Sequence, residues 1–178
     1  DRPWRFYALS VAACVLGMGT KEVMVSAPPL VLLFDRTFAA GSFQAAWRQR
    51  RAYYVALAAA WIPLGLLVAG GGGNRGGNFG FGIGISWWDH MLTQFEAITH
   101  YLQLSAWPHP LVFDYGTFWA RSVGDVLPQA AVVLALAAGT LFALWRRPVP
   151  GFLGAWFFAI LAPTSLLPAP KQMIVEHR

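Results

Sequence analysis

A single cysteine, Cys14, leaves no disulfide framework to read and says nothing of redox compartment. Charge is scarce as well. Lysine and arginine number 13 and aspartate and glutamate 8 in 178 residues, against 57% hydrophobic residues, a balance well outside that of a soluble domain. Several chemistries are excluded by what is missing. No Cys/His cluster has metal-ligand spacing, and nothing resembles a Ser/His/Asp elbow. Gly71, Gly73 and Gly76 satisfy G-x-G-x-x-G in form, but no strand precedes them, no βαβ unit surrounds them and no Gly-Lys-Ser/Thr follows, so nucleotide binding is not expected there. The basic excess is neither gathered on a folded face nor interleaved with stacking aromatics, so no nucleic-acid partner is expected. The chain does not start with Met, and its first apolar run lacks the short core and small-residue cleavage site of a signal peptide. It reads as an internal piece of a longer multi-pass protein.

What the chain has is long apolar runs. Residues 52–70, 126–145 and 148–170 carry no charge, and each is close to the roughly 20 residues that a spanning helix needs. From Phe6 to Phe34 the only charged residues are Lys21 and Glu22. If that stretch is a hairpin turning at Lys21-Glu22, then Arg2, Arg5, Arg36, Arg48, Arg50, Arg51, Arg146 and Arg147 share one membrane face with only Asp1 and Asp35. The other face carries Lys21, Arg75, Arg121, Lys171 and Arg178 with Glu22, Asp89, Glu96, Asp114, Asp125 and Glu176. The bias toward base makes the first face cytoplasmic. A single helix over 6–34 would be about 44 Å long and would move the arginines of 35–51 outside, so the hairpin is the better reading.

Its arms, 6–20 and 23–34, would be roughly 22 Å and 18 Å long against a hydrocarbon core of about 30 Å. That places the turn below the outer surface, where Gly17, Gly19 and Pro28-Pro29 suit interrupted helices and irregular backbone is tolerated only beside protein or a water-filled cavity. Lys21 and Glu22 are then expected to line an outward-facing cavity, and an ionisable residue at that depth points to function. The alternative is an ordinary external turn.

The region of about 71–125 reads as external. Within it, residues 88–106 are expected to form an amphipathic helix on the membrane interface, with Met91, Phe95, Ile98 and Leu102 as its apolar stripe and Glu96, His100 and Gln103 opposite. Trp87, Trp88 and Trp107 flank it, and Pro108 with Pro110 ends it. His100 is read as a solvated residue, with no second ligand at i+3 or i+4. Asp89, Asp114 and Asp125 are too far apart to form a carboxylate pair by sequence. The expected fold is all-α: a polytopic integral membrane helix bundle with an external interfacial helix. It forms one membrane domain over 1–178, with membrane segments at about 6–20, 23–34, 52–70, 126–145 and 149–167.

Three stretches taken together, LGMGTKEVMVSAPPLVLLFD, LTQFEAITHYLQLSAWPHPLVFDY and FFAILAPTSLLP followed by EHR, resemble the membrane region of the transmembrane and tetratricopeptide-repeat protein O-mannosyltransferases and their bacterial relatives, which are lipid-dependent GT-C glycosyltransferases. The likeness runs from about Trp4 to Arg178, with 70–86 as an unmatched insertion. It implies transfer of a sugar, mannose foremost, from a polyprenyl-phosphate carrier to a hydroxyl acceptor, a protein Ser or Thr or a glycan, on the non-cytoplasmic face of a lipid bilayer. A bacterial inner membrane fits ahead of the endoplasmic reticulum. The catalytic carboxylate of such enzymes lies on a first external loop that this stretch does not contain, and the repeats would follow Arg178.

On that reading Lys21 and Arg178 bind the donor phosphate. Glu22, Glu176, His177 and Asp114 support them, Glu22 by orienting Lys21 or by helping to hold a divalent cation. A lone carboxylate makes a poor metal site, which favours orientation. The EHR cluster also reads as an interfacial polar group where a helix leaves the bilayer. Two other classes share the general features. A transporter would have broken helices and a charged site at mid-depth but should show internal repeats, and none is visible. A non-catalytic anchor of a repeat protein would have no use for charges at membrane depth.

Overall fold

The computed structural model describes residues 3–70, 86–109, 120 and 122–166, with the backbone alone at positions 3, 22 and 67–70. Among them every regular element is helical: α1 (Pro3–Thr20), a 3-10 turn (Glu22–Ser26), α2 (Ala27–Asp35), a π turn (Arg36–Ala40), α3 (Phe43–Ala59), α4 (Trp61–Gly70), α5 (Trp87–Ala106), a second 3-10 turn (Val123–Val126), α6 (Leu127–Arg146) and α7 (Pro148–Leu166). Three stretches are long and apolar enough to cross a membrane: Val23–Ala40, Val123–Arg146 and Pro148–Leu166. Only 11–17% of their most apolar windows is buried within the protein. Water does not tolerate apolar surface on that scale, whereas lipid covers it, and this marks the chain as a membrane protein.

Proline sets several boundaries. Pro28 and Pro29 open α2, where their missing N–H groups cost nothing, and Pro148 opens α7. Pro63 cannot donate to the carbonyl of residue 59, and its ring crowds that carbonyl. The apolar run 52–70 therefore divides at Ala60 into the end of α3 and all of α4. Neither this pair nor α1, which has Arg5 in its first turns, is among the stretches long and apolar enough to span.

Both arms around Lys21 are longer than their apolar residues imply. Helix α1 has 18 residues and the second arm runs 18 residues to Ala40, because α2 runs on past Asp35 into a π turn that begins at Arg36, and the chain stops only at Gly41, whose φ of 74° is left-handed. At 1.5 Å per residue each arm is about 27 Å long, close to the hydrocarbon thickness. This removes the length argument for sinking Lys21 below the outer surface.

The chain divides into two compact units, 1–72 with 139–163, and 73–138 with 164–178. The core of the first is Cys14 and Met18 of α1, Ala46, Tyr54 and Leu57 of α3, and Ala60 and Leu64 about the α3–α4 break, with Met24, Val25, Val31 and Leu32 of the second arm packed against them. The start of α1 meets the end of α2 at Arg50, whose Nε donates to Tyr7 Oη at 3.2 Å and whose Nη1 donates to both Asp35 oxygens. The chain therefore doubles back at Lys21.

In the same unit α6 and α7 are joined by Arg147 alone, and the corner is tight. A Cβ at Gly151 would lie 2.3 Å from the Leu144 nitrogen, 2.6 Å from the Leu144 Cα and 2.7 Å from the Ala143 carbonyl carbon. A side chain there must push backbone from backbone. Gly151→Ala is expected to lower stability by about 1–3 kcal/mol, the usual cost of overpacking. Gly139→Ala, in open space on α6, should be neutral or mildly stabilising through helix propensity. Thermal melts of both variants in one detergent check the pair, and equal midpoints would refute the close approach.

The core of the second unit is Leu92, Ala120 and Val126, with Phe95 against them. Asp125 is a helix-start residue: it accepts from the Ser122 N–H while Ser122 caps the turn in return. Helix α5 forms where the periodicity expects it, capped by Ser86. Its buried positions are His90, Leu92, Thr93, Gln94, Ala97 and Ile98. Of the expected stripe only Ile98 is fully buried, with Met91, Phe95 and Leu102 half-buried, as is His100, expected in solvent.

Candidate functional site

Lys21 stands at the break between the two arms of the hairpin. Thr20 Oγ1 donates to the Gly17 carbonyl at 2.8 Å and the Lys21 N–H donates to the same oxygen at 2.9 Å, which closes the last turn of α1. The Lys21 backbone then turns extended, at φ −150° and ψ 130°, and caps the 3-10 turn, accepting from the Met24 N–H at 3.2 Å. Gly17 is bare where Met24 folds back: a Cβ there would lie 2.8 Å from Met24 Cε. Met18 is buried beneath, and Trp61 Nε1 donates to the Val25 carbonyl at 3.0 Å, tying α4 to the turn. The turn is therefore held on three sides while the Lys21 side chain is exposed. Among the described residues its ammonium has no hydrogen bond and no ion pair.

Of the other residues expected to share this role, the side chain of Glu22 lies outside the described residues, as do Asp114, Glu176, His177 and Arg178; the glycine-rich run 71–85 lies outside them too. Among the described residues no group of three or more His, Cys, Asp and Glu side chains could hold a metal ion.

In the second unit sits a group that the sequence reading passed over. The last carbonyls of a helix have no partner within it, and two of those of α7 are taken by the start of α5. His90 Nε2 lies 3.0 Å from the Ser165 carbonyl, and Trp87 Nε1 donates to the Leu166 carbonyl at 3.4 Å. The contact to a carbonyl places the proton on Nε2 and leaves Nδ1 an acceptor, buried and without a partner. Beside it Thr93 Oγ1 donates to the Asp89 carbonyl at 2.7 Å and accepts from the Ala120 N–H at 3.1 Å. Burial lowers the His90 pKa, and the bond to Ser165 only partly opposes this.

The consequence for stability has a definite sign. A histidine whose folded pKa lies below its unfolded value of about 6.5 takes up its proton more readily when unfolded. Its neutral form is fully compatible with the fold above that pH. The associated stability is lost as pH falls from about 6.5 through the folded value. The melting midpoint should therefore fall between pH 7 and pH 5, and His90→Gln should flatten that dependence. An equal slope in the variant would assign the pH effect to another group.

The third feature is a polar network in the first unit. Asp35 is buried and accepts from Arg50 Nη1 at 2.6 Å and from Tyr54 Oη, while Ser10 Oγ and Tyr53 Oη are bonded at 2.8 Å nearby. Arg50 departs from helical geometry, at φ −136° and ψ 27°, inside α3, and the carboxylate beside it raises its pKa further. Sequence reasoning counted Asp35 and Arg50 on one face and left them unpaired. Comparison with known protein families, characterised proteins and solved structures finds no match.

Proposed function

We propose that this chain is the membrane part of a GT-C-type glycosyltransferase that moves a sugar, mannose foremost, from a polyprenyl-phosphate carrier to the hydroxyl of a protein Ser or Thr on the non-cytoplasmic face. The observation that carries the reading is Lys21, an exposed ammonium on a turn held by Met24, Met18 and Trp61. Arms of about 27 Å on either side suit a cation at headgroup level, which is where the phosphate of a lipid carrier resides.

In the transfer the bond between sugar C1 and the phosphate oxygen breaks, and its electron pair stays on the phosphate. The acceptor oxygen forms the new bond to C1 and gives its proton to a base. The charge that grows on the leaving phosphate is what a preorganised ammonium stabilises, more strongly away from bulk water than in it. On this reading Glu22 orients Lys21.

The test is transfer itself. The full-length protein in proteoliposomes, given polyprenyl-phosphate mannose and a Ser/Thr peptide, should glycosylate the peptide. Movement of a solute across the bilayer without transfer would favour the transporter. Inactivity in both assays would leave a membrane anchor.

A further inference from the structure

Helix α3 is bent. Arg50 interrupts it, at φ −136° and ψ 27°, while its guanidinium is held by Asp35 and Tyr7. The two halves differ in character. After the bend, Tyr54 and Leu57 enter the core of the first unit, whereas before it, in FQAAWRQ, only Ala46 does. Gln44, Arg48 and Gln49 are exposed. Polar side chains at this density are costly in hydrocarbon, so the first half lies along the membrane interface and the second half turns inward from it.

The first half is also held in place. Gly41 is left-handed at φ 74°, and the Ser42 side chain caps the helix by accepting from the Ala45 N–H at 3.1 Å. The Arg36 guanidinium lies 5.4 Å from the Phe43 ring centroid, and Trp47 stacks on Tyr54 across the bend with centroids 6.2 Å apart and planes within 7°. Both Phe43 and Trp47 nevertheless stay about half-exposed, at 51% and 49%. They stand one turn apart, and so do Gln44 and Arg48 beside them.

Arg48 and Arg51 flank the bend, and both are exposed. Neither guanidinium has a partner among the described residues. No acid occurs in the sequence between Asp35 and Asp89, and Asp35 accepts from Arg50. Asp1, the other acid of the face that the charge bias makes cytoplasmic, lies outside the described residues and offsets one charge at most. Exposed aromatic rings beside arginines are the composition of the headgroup region, and such basic clusters attract the anionic lipids of the cytoplasmic leaflet.

We infer that the bend of α3 is a docking surface for the headgroup of an anionic phospholipid in the cytoplasmic leaflet. Arg48 and Arg51 donate to its phosphate, and Phe43 and Trp47 lie against the adjoining part of its acyl chains. Both arginines are exposed, so the headgroup meets them without displacing any contact of the fold. The rings select a lipid over a soluble anion. The surface takes no part in the proposed glycosyl transfer and is tested apart from it.

The full-length protein in phosphatidylcholine nanodiscs, doped with phosphatidylglycerol, gives the test, with bound lipid counted by native mass spectrometry. Arg48→Gln and Arg51→Gln should each weaken phosphatidylglycerol retention on the order of fivefold, the worth of one arginine at an anionic surface. The double variant should weaken it on the order of 20-fold or more, with an unchanged melting midpoint because both side chains are exposed. Arg147→Gln removes the same charge from the exposed corner between α6 and α7 and should change retention little. Retention unchanged in the double variant overturns the surface. An equal loss in Arg147→Gln overturns it in favour of the diffuse charge of the whole face. Inorganic phosphate displacing the lipid at millimolar concentration would assign the arginines to a soluble anion and overturn the lipid.

Discussion

Under the proposed transfer, Lys21→Met is expected to lower sugar transfer by the full-length protein on the order of 100-fold or more, the scale on which removal of one preorganised charge-stabilising group acts. The reasoning lies in where the charge develops. The ground-state donor is already an anion, but breaking the bond to C1 puts further charge on the phosphate oxygen, and only a group already in place gains from it. The Lys21 turn is held by the Gly17–Met24 fold-back and by Trp61, so the lysine is carried on a fixed backbone.

Methionine of similar length at an exposed position should leave folding intact, so the loss should appear in kcat with an unchanged melting midpoint. Lys21→Arg should recover part of the activity, since a planar fork does not reproduce a compact ammonium. Glu22→Gln should be mild if Glu22 orients Lys21, and as severe as Lys21→Met if it holds a required divalent cation, in which case a chelator abolishes transfer by the unaltered enzyme. Transfer unaltered by Lys21→Met, measured with a polyprenyl-phosphate sugar, would reduce the Lys21 turn to a polar corner between two helices.

The turn itself was legible because three independent signals coincide there: glycines at 17 and 19, adjacent charges at 21 and 22, and Pro28-Pro29 at the start of the next helix. Its depth was not legible. The reading ended the second arm at Phe34 because Asp35 and Arg36 are charged, yet a helix ends where its backbone must and not where charge begins. Here the chain continues to Gly41 because Asp35 is neutralised by Arg50 and Arg36 finds a carbonyl on α6. Both partners are remote in sequence. The division of 52–70, by contrast, is written in Pro63, which a count of apolar residues alone does not weigh.

Helix α5 shows a different limit. Its stripe is expected on the membrane interface, and the side buried within the protein carries His90, Thr93 and Gln94 among its residues, which leaves Met91 and Phe95 half-buried. Periodicity locates a helix in either setting, but its inward face depends on what surrounds it. Periodicity gives His90 no place on either face, whereas His100, ten residues on, lies opposite the stripe.

Asp35→Ala should be the most damaging single change to the stability of the first unit. It removes the acceptor shared by Arg50 and Tyr54 and leaves the Arg50 guanidinium with Tyr7 alone. Breaking a buried pair by removing one member costs about 3–5 kcal/mol, but the Arg50 side chain is 27% exposed against 12% for Asp35, so water can compensate part of the loss. The lower end, about 3 kcal/mol, is the expected value after allowing for that exposure. Tyr54→Phe, which takes away one hydrogen bond and keeps the ring against Trp47 and Tyr53, should cost about 1 kcal/mol.

The informative variant is the double one. Replacing both Asp35 and Arg50 by Leu removes the stranded charge together with the desolvation it entails, and apolar replacement of a buried pair is often neutral. Much of the stability lost in Asp35→Ala should therefore return. The double variant also separates the pair from its surroundings, since Arg50 ties α1 to α2 through Tyr7 as well as Asp35. If the double variant melts no higher than Asp35→Ala, the cost arises from losing the tie between helices and not from an uncompensated charge. Melting of Asp35→Ala at the wild-type midpoint would contradict both accounts.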